Sequence, residues 1–292
     1  MNEMTKNAPF GFLLVDKEEG MTSTDVDRIA KRIFKTRRVG HLGTLDPFAT
    51  GLLVLAVGEA TKMLPLLDDG KKTYRATLAL GKETDTLDKT GTTIRTLSVP
   101  DIDVDDIQRA FSSLAERKCQ IPPSYSAKRI DGRRAYDIAR EGGKIDLPPI
   151  PIAIERLELL SYDKNEQLLS FETTVSKGTY IRSLGRDIAQ ALGTCGHLLS
   201  LRRLAIGPLS LERAQPSSSI RTKNLLPPES ILPSLKVIEV DKALSKKAGN
   251  GCPLIFPTEM SPLLLIRDEE RNVAVYEKRG GKYHCRFGFA HD

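Results

Sequence analysis

Two apolar runs, FGFLLVD at residues 10–16 and LLVLAVG at residues 52–58, bracket a loop, VGHLGTLDPFATG, that is punctuated by Gly40, Gly43 and Gly51. Runs of this length bounded by glycine read as buried strands. Strand, loop, strand and then a short helix around residues 59–67 place that loop, with Asp46 in it, at the edge of a sheet. Between the first strand and the loop, Thr22 or Ser23 caps a helix whose Val26, Ile29, Ala30, Ile33 and Phe34 form one apolar stripe.

Further along, residues 71–80 alternate, with Tyr74, Ala76, Leu78 and Leu80 on one face and Thr73, Arg75 and Thr77 on the other, as in a half-buried strand. Tyr74 therefore points to the buried or cleft side. Helical spacing predicts a helix over 103–116 and a shorter one over 132–141. Strands follow at about 150–162 and 167–176, then a helix over about 179–192 stopped by Gly193, and a strand in HLLSLRRLAIG. Residues 216–233 are rich in proline and serine and read as a linker; beyond residue 236 a small unit of short strands and turns is expected. The fold class is α+β with a small, mostly β appendix.

At 292 residues and 40% hydrophobic content the chain can bury a sizeable core, in one large or two unequal domains. A net charge of +6 and a pI near 9.1 favour a polyanionic partner, although many basic proteins bind no nucleic acid. Positive charge gathers in three runs: Arg28, Lys31, Arg32, Lys35, Arg37 and Arg38; Lys128, Arg129, Arg133 and Arg134; and Lys177, Arg182, Arg186, Arg202 and Arg203. These could fold onto one phosphate-tracking face or each be a solvated surface. Four cysteines lie far apart with no C-x-x-C pair, so neither a disulfide framework nor a metal site is indicated. The N-terminal apolar stretch is about five residues long and nothing approaches the roughly 20 needed to cross a bilayer. No membrane association is expected, and a cytoplasmic location is the default.

Asp46 is followed by a stiff Pro47 and flanked by glycines that allow close backbone approach to a ligand, which is how a carboxylate is held out for use. An Asp-Pro in a loop also serves as a plain turn, and both readings stay open on spacing alone. His41 is likewise a switchable base or a polar loop residue. In SKGTYIRSL, Tyr180 and Arg182 open a helix beside Gly178, and Arg182 could pair with a buried aspartate or lie on a solvated face.

Four segments taken in order, GHLGTLDPFATGLLVLAVGEATK, KTYRATLALGKETDTLDKTG, QIPPSYSAKRIDGRRAY and SKGTYIRSLGRDIAQALG, resemble the successive signature motifs of TruB-type tRNA pseudouridine-55 synthases. The resemblance covers residues 11 to about 207. It implies a catalytic domain on a mixed, largely antiparallel sheet flanked by helices over residues 1–235, with an insertion at about 85–150 and a linker at about 214–235. Residues 236–292 more weakly resemble the family's small RNA-binding domain of the PUA kind. The resemblance further implies isomerisation of uridine-55 in the T-loop of tRNA, no cofactor and no metal, with the T-arm as partner and nothing demanding a dimer, so that a monomer is expected. Carried over by position, Asp46 matches the catalytic aspartate, Tyr74 the tyrosine that stacks on the target base, and Tyr180 and Arg182 the pair flanking the carboxylate. His41 matches the histidine supporting the extruded nucleotide, Leu201 a wall residue, and Lys17 a lysine near the pocket floor. One departure is visible: the family has Asp-Lys-Pro near the N-terminus where this chain has Asp16, Lys17 and Glu18, which implies a looser first turn.

The implied reaction breaks the bond from C1′ to N1, turns the base and joins C1′ to C5 without redox change. A carboxylate serves either by attacking C1′ or by accepting a proton from the sugar, and the sequence does not choose. Either role needs an ionised Asp46, which a neighbouring Arg182 favours and burial opposes; the arginine is expected to prevail. Competing readings are a glycoside hydrolase, which needs two carboxylates where this loop supplies one, a non-catalytic tRNA-binding or chaperone protein, and a synthase acting on another RNA.

Overall fold

The computed structural model describes residues 8–67, 70–125, 129–130, 133–134, 147–256, 260–269 and 271–289. In chain order the elements begin with β1 (Gly11–Lys17), α1 (Ser23–Ile33), β2 (Val39–Leu42) and β3 (Thr50–Val57), then a 3-10 turn (Gly58–Met63) running into α2 (Leu64–Leu67). Next come β4 (Lys71–Leu80), β5 (Lys82–Thr84), β6 (Thr93–Thr96), α3 (Val104–Ala115), β7 (Cys119–Gln120), β8 (Arg129–Ile130), β9 (Arg133–Arg134) and β10 (Ile150–Pro151). The second half holds β11 (Ile154–Asp163), β12 (Leu168–Ser176), α4 (Ile181–Ala191), β13 (Gly196–Ile206), β14 (Leu209–Ser210) and β15 (Gln215–Pro216). It ends with β16 (Leu235–Glu239), α5 (Lys242–Gly249), β17 (Leu263–Arg267), β18 (Asn272–Arg279) and β19 (Lys282–Gly288).

Among the described residues one nine-stranded sheet runs β11-β12-β4-β13-β3-β1-β15, with β2 paired to β3 and β14 to β13. Its pairings are antiparallel except β13 with β3 and β1 with β15, so the sheet is mixed and largely antiparallel. The alternation over residues 71–80 behaves as a period of two requires: Tyr74, Ala76, Leu78 and Leu80 are all buried. They meet α3 and α4 through Ile107, Phe111, Leu184 and Ile188 in one core, where Phe111 and Phe171 pack edge to face. On β1 and β3, Leu13, Val15, Leu53 and Leu55 receive the stripe of α1, Val26, Ala30 and Phe34. That helix starts with a reciprocal cap, in which Thr22 accepts from the Asp25 N–H and Asp25 from the Thr22 N–H.

The other face of β1 and β3, Phe12, Leu14, Leu52 and Val54, is covered by Met63 and Leu67, by Leu235, Leu265 and Val275 of the C-terminal sheet, and by Phe289 just after it. That sheet runs β16-β17-β18-β19 and has its own core around Leu264, Ile266 and Tyr276. It carries a helix, α5, where strands and turns alone were expected. Asp241 caps it by accepting from the Leu244 N–H at 2.7 Å.

The proline- and serine-rich stretch is not a free tether. β15 pairs with the edge of β1, Phe12 and Leu226 exchange both backbone hydrogen bonds at 2.8 Å, and Ile220, Ile231 and Leu232 are buried. Prolines, which cannot donate, suit such an edge strap. The helix expected over 132–141 and the basic residue Lys128 lie outside the described residues, apart from Arg133 and Arg134, which form β9 in a short hairpin with β8. Among the described residues no helix is long and apolar enough to cross a membrane.

Candidate active site

Asp46 is held between hydrophobic anchors. Leu45, Phe48 and Ala49 are buried in the core under α4. Ser23, at the start of α1, accepts from the Leu45 N–H at 2.9 Å and its hydroxyl donates to Leu45 O at 3.2 Å. Pro47 O accepts from Gly20 N at 2.8 Å, and the turn closes with Ala49 N donating to Asp46 O at 3.1 Å. With its neighbours pinned inward, the Asp46 side chain is left 37% exposed.

Arg182 reaches that carboxylate from the first turn of α4. Its Nε lies 2.9 Å from Oδ2 and its Nη2 3.2 Å from Oδ1, a two-point pairing that fixes the carboxylate plane. The same guanidinium donates to Thr86 O at 2.7 Å and Tyr125 O at 2.9 Å and lies 3.6 Å from Asp88 Oδ2. A cation at a helix N-terminus opposes the helix dipole, so Arg182, itself buried, depends on these anionic and carbonyl partners. The N-cap residue Tyr180 has no side-chain cap of its own, and its N–H donates to the Gln120 amide oxygen at 3.0 Å.

Asp46 and Arg182 lie together in a cleft of about 410 Å³. Tyr74 on β4, Leu201 on β13 and Tyr180 wall it, with Gly43 and Thr44 on the Asp46 loop and Tyr125 opposite. Register explains the grouping. On the adjacent antiparallel strands Leu201 stands opposite Ala76 and Arg203 opposite Tyr74, so all four side chains share one face. At Arg202 and Arg203, β13 is paired on both sides, antiparallel to β4 and parallel to β3. There Gly51, at φ +102°, lies so close that a β-carbon would come 2.3 Å from Arg203 O.

The family model described as TruB family pseudouridylate synthase (N terminal domain) matches residues 31–181, more than half of the chain and the segment that carries Asp46, Tyr74 and Tyr180. This chain belongs to the TruB family. Among its relatives, "tRNA pseudouridine synthase B" of Gluconacetobacter diazotrophicus is 48% identical over 200 residues, 68% of this chain and 65% of that protein. The protein of the same name from onion yellows phytoplasma is 39% identical over 284 residues, spanning 96% of this chain and 99% of its own. That of Aquifex aeolicus is 35% identical over 277 residues, 93% and 96% respectively. In fold, the chain is similar to one in the crystal structure of a Cbf5-Nop10-Gar1 complex, with a TM-score of 0.68 at 21% identity, covering 99% of this chain and 88% of that one.

Within this TruB-family fold, five of the seven residues singled out by motif, Asp46, Tyr74, Tyr180, Arg182 and Leu201, line the cleft together. Lys17 and His41 do not line it. Lys17 is fully buried beneath it, donating to Met21 O at 2.7 Å, Glu18 O at 3.0 Å and Pro47 O at 3.4 Å. His41 Nδ1 bonds Asp27 Oδ2 at 2.9 Å and Nε2 bonds Thr44 Oγ1 at 3.3 Å, so it steadies a wall residue from behind. The departure at Glu18 does not loosen the first turn. Lys17 ties it from within, and the Glu18 carboxylate accepts from Ser217 N and Ser217 Oγ, fastening the strap to it.

Motif reading passed over Asp88, Tyr125 and Arg203. Asp88 and Tyr125 lie in the motif segments and Arg203 in an expected strand, but only the fold brings their side chains or carbonyls to Arg182 and the cleft. The third basic run turns largely inward, with Arg182 and Arg203 buried and Arg186 bonded to Asp187.

Burial pushes the Lys17 ammonium down from 10.5 to about 8; Asp46, Glu18 and Glu19 pull it back up, and Arg203 adds to the depression. Between about pH 8 and 10.5 the unfolded chain therefore holds a proton that the folded chain has released. The contribution of Lys17 to stability rises with pH through that window, and the cost of burying the ammonium is fully present below it. Urea denaturation of wild type and Lys17→Met across this range is expected to show the difference shifting in favour of wild type as pH rises. A flat difference contradicts the depressed ammonium.

Proposed function

We propose that this protein converts uridine-55 in the T-loop of tRNA to pseudouridine, with Asp46 as the catalytic carboxylate. The observation that carries the reading is the two-point pairing of Asp46 with Arg182 in a cleft walled by Tyr74, Tyr180 and Leu201. A uridine stacked within folded tRNA is out of reach, so it must be swung out, at a cost of a few kcal/mol, and held against an aromatic surface. Tyr74 supplies that surface. Leu201 and Tyr180 confine the base while it is detached from the sugar, and the cleft lies within the roughly 300–1,000 Å³ of small-ligand pockets.

Asp46 acts at the sugar, either by attacking C1′ or by taking a proton to give a glycal-like intermediate. Arg182 orients the carboxylate for either. Once N1 is released the base turns, C5 bonds to C1′, the C5 hydrogen leaves to solvent as a proton and N1 gains a proton, so the product is an isomer of the substrate and no electrons enter or leave. Lys17 and His41 contribute indirectly, through Pro47 and Thr44.

In this reading residues 1–235 are the catalytic domain, with an insertion at about 85–150, and residues 236–292 are a PUA-like RNA-binding domain. The family resemblance, the separate β16–β19 sheet and its own core support that division. The protein works as a monomer in the cytoplasm. Exposed Arg32, Lys35 and Arg37 on and after α1 supply part of the charge that tracks the T-arm backbone. Binding to tRNA is expected to weaken about a thousandfold between about 50 and 200 mM salt, the behaviour of six or more phosphate contacts; a flat response contradicts a backbone-tracking interface. Position is tested by incubating unmodified tRNA transcript with the protein and mapping pseudouridine along it. A single site in the T-loop is expected, lost when that uridine is replaced by cytidine. Modification spread over other uridines contradicts the assignment.

A further inference from the structure

Arg203 is only 1% exposed and fills none of the roles assigned above. Its Nε donates to Leu52 O at 2.7 Å and its Nη2 to Gly43 O at 2.9 Å, and among the described residues no carboxylate lies within ion-pair distance of it. Both bonds go to neutral carbonyls, so the charge itself is unmatched. A guanidinium withdrawn from water without a counter-ion is costly, and a fold that keeps one recovers that cost when an anion arrives.

The remaining nitrogen, Nη1, makes no hydrogen bond to a described residue, and Arg203 and Gly43 both line the cleft. Nη1 stands 3.4 Å from the point where a β-carbon on Gly43 would sit, and Lys72 Nζ stands 3.3 Å from that same point. Glycine, at φ +70°, keeps the space between the two cations open. Lys72 precedes Tyr74 by two residues on β4 and so shares its face, and Arg203 is the cross-strand neighbour of Tyr74. A single tetrahedral anion lodged at Gly43 can therefore touch both cations, at one corner of the cleft that holds Asp46.

We propose that Arg203 and Lys72 form a phosphate seat that grips a phosphodiester next to the extruded uridine. The inference rests on reading the cleft as a uridine-isomerising site, because the anions such a substrate brings are its phosphodiesters. With the base on Tyr74 and the sugar over Asp46, a flanking linkage at Gly43 fixes the nucleotide at a third point. Arg203 also braces the loop through Gly43 O and Leu52 O, so that occupying the seat and positioning Asp46 are linked through one side chain.

The test uses the full chain and a T-arm stem-loop RNA made in three forms: all phosphate, or with one neutral methylphosphonate on the 5′ or the 3′ side of the target uridine. Wild type, Lys72→Met and Arg203→Lys are assayed for kcat/KM, with melting temperatures to show that each variant folds. Neutralising one of the two linkages is expected to lower wild-type kcat/KM about tenfold, the loss of a charge-assisted hydrogen bond. Against Lys72→Met, and separately against Arg203→Lys, the same neutral linkage is expected to cost less than in wild type, because one of the two contacts to that phosphate is already lost or weakened. Equal penalties in wild type and both variants, or no penalty at either linkage, overturn the seat. Failure of wild type to isomerise the all-phosphate RNA overturns the reading of the cleft itself and is seen before any neutral linkage is tried.

Discussion

An Asp46→Asn variant is expected to bind tRNA as tightly as wild type while its turnover falls by at least about 10⁴-fold, the scale seen when a group central to the chemistry is removed. The substitution keeps the shape of the side chain, and the anchors around it, Leu45, Phe48 and the Ser23 bonds to Leu45, are untouched. What changes is chemical. A carboxamide neither attacks an anomeric carbon nor takes a proton as a carboxylate does, and it turns an NH2 toward the Arg182 donors that met an oxygen before. In the proposed reading, binding is carried by the basic surface and the cleft walls and does not pass through that group. Single-turnover rates beside equilibrium binding separate the two effects. Retention of more than about a hundredth of the wild-type rate contradicts a direct chemical role for Asp46, since groups acting in the bond-breaking step rarely leave that much behind.

The largest effect on stability is expected at Arg182. Its guanidinium pairs with Asp46, approaches Asp88 and donates to the carbonyls of Thr86 and Tyr125, linking α4, the Asp46 loop and the β5–β6 hairpin region through one buried side chain. Arg182→Met removes all four interactions and leaves two carboxylates facing the same space, with Asp88 only 4% exposed. Breaking a buried charge pair in this way costs about 3–5 kcal/mol. Arg182→Lys restores the charge but not the fork that meets both Asp46 oxygens, so its loss is expected to be intermediate. Urea denaturation of the three proteins gives the comparison. A loss below about 1 kcal/mol for Arg182→Met, the range of an exposed pair, contradicts a buried network.

How far the sequence was legible follows from which physical signals are local. The period of two over residues 71–80 and the stripe of α1 are visible in single segments, and both elements form where the patterns place them, with Tyr74 inward. Asp46 and Arg182 were legible only through motif resemblance, since an Asp-Pro turn and a helix-opening arginine are common in isolation. Their pairing spans more than a hundred residues of chain. Arg203 was read as one member of a surface run because neighbouring positive charges look alike in a sequence. On β13, however, the side chains of Arg202 and Arg203 point to opposite faces, and the first meets Asp16 while the second is buried in the cleft wall.

The packing of the strap was hidden for a related reason. Proline and serine suit a linker, yet Ile220, Ile231 and Leu232 among them are spaced to drop into cores already built by β1 and the C-terminal sheet. α5 escaped notice because eight residues with few apolar positions give too weak a helical period. Its Asp241 cap and the burial of Ser245 and Ala248 become evident only in the fold.

One measurement tests the isomerisation most directly: incubation of the purified protein with unmodified tRNA tritiated at uridine C5. Joining C5 to C1′ must expel that hydrogen, so tritium is expected to appear in water with one equivalent released per tRNA. Folded substrate that binds the protein and still releases no tritium contradicts the account.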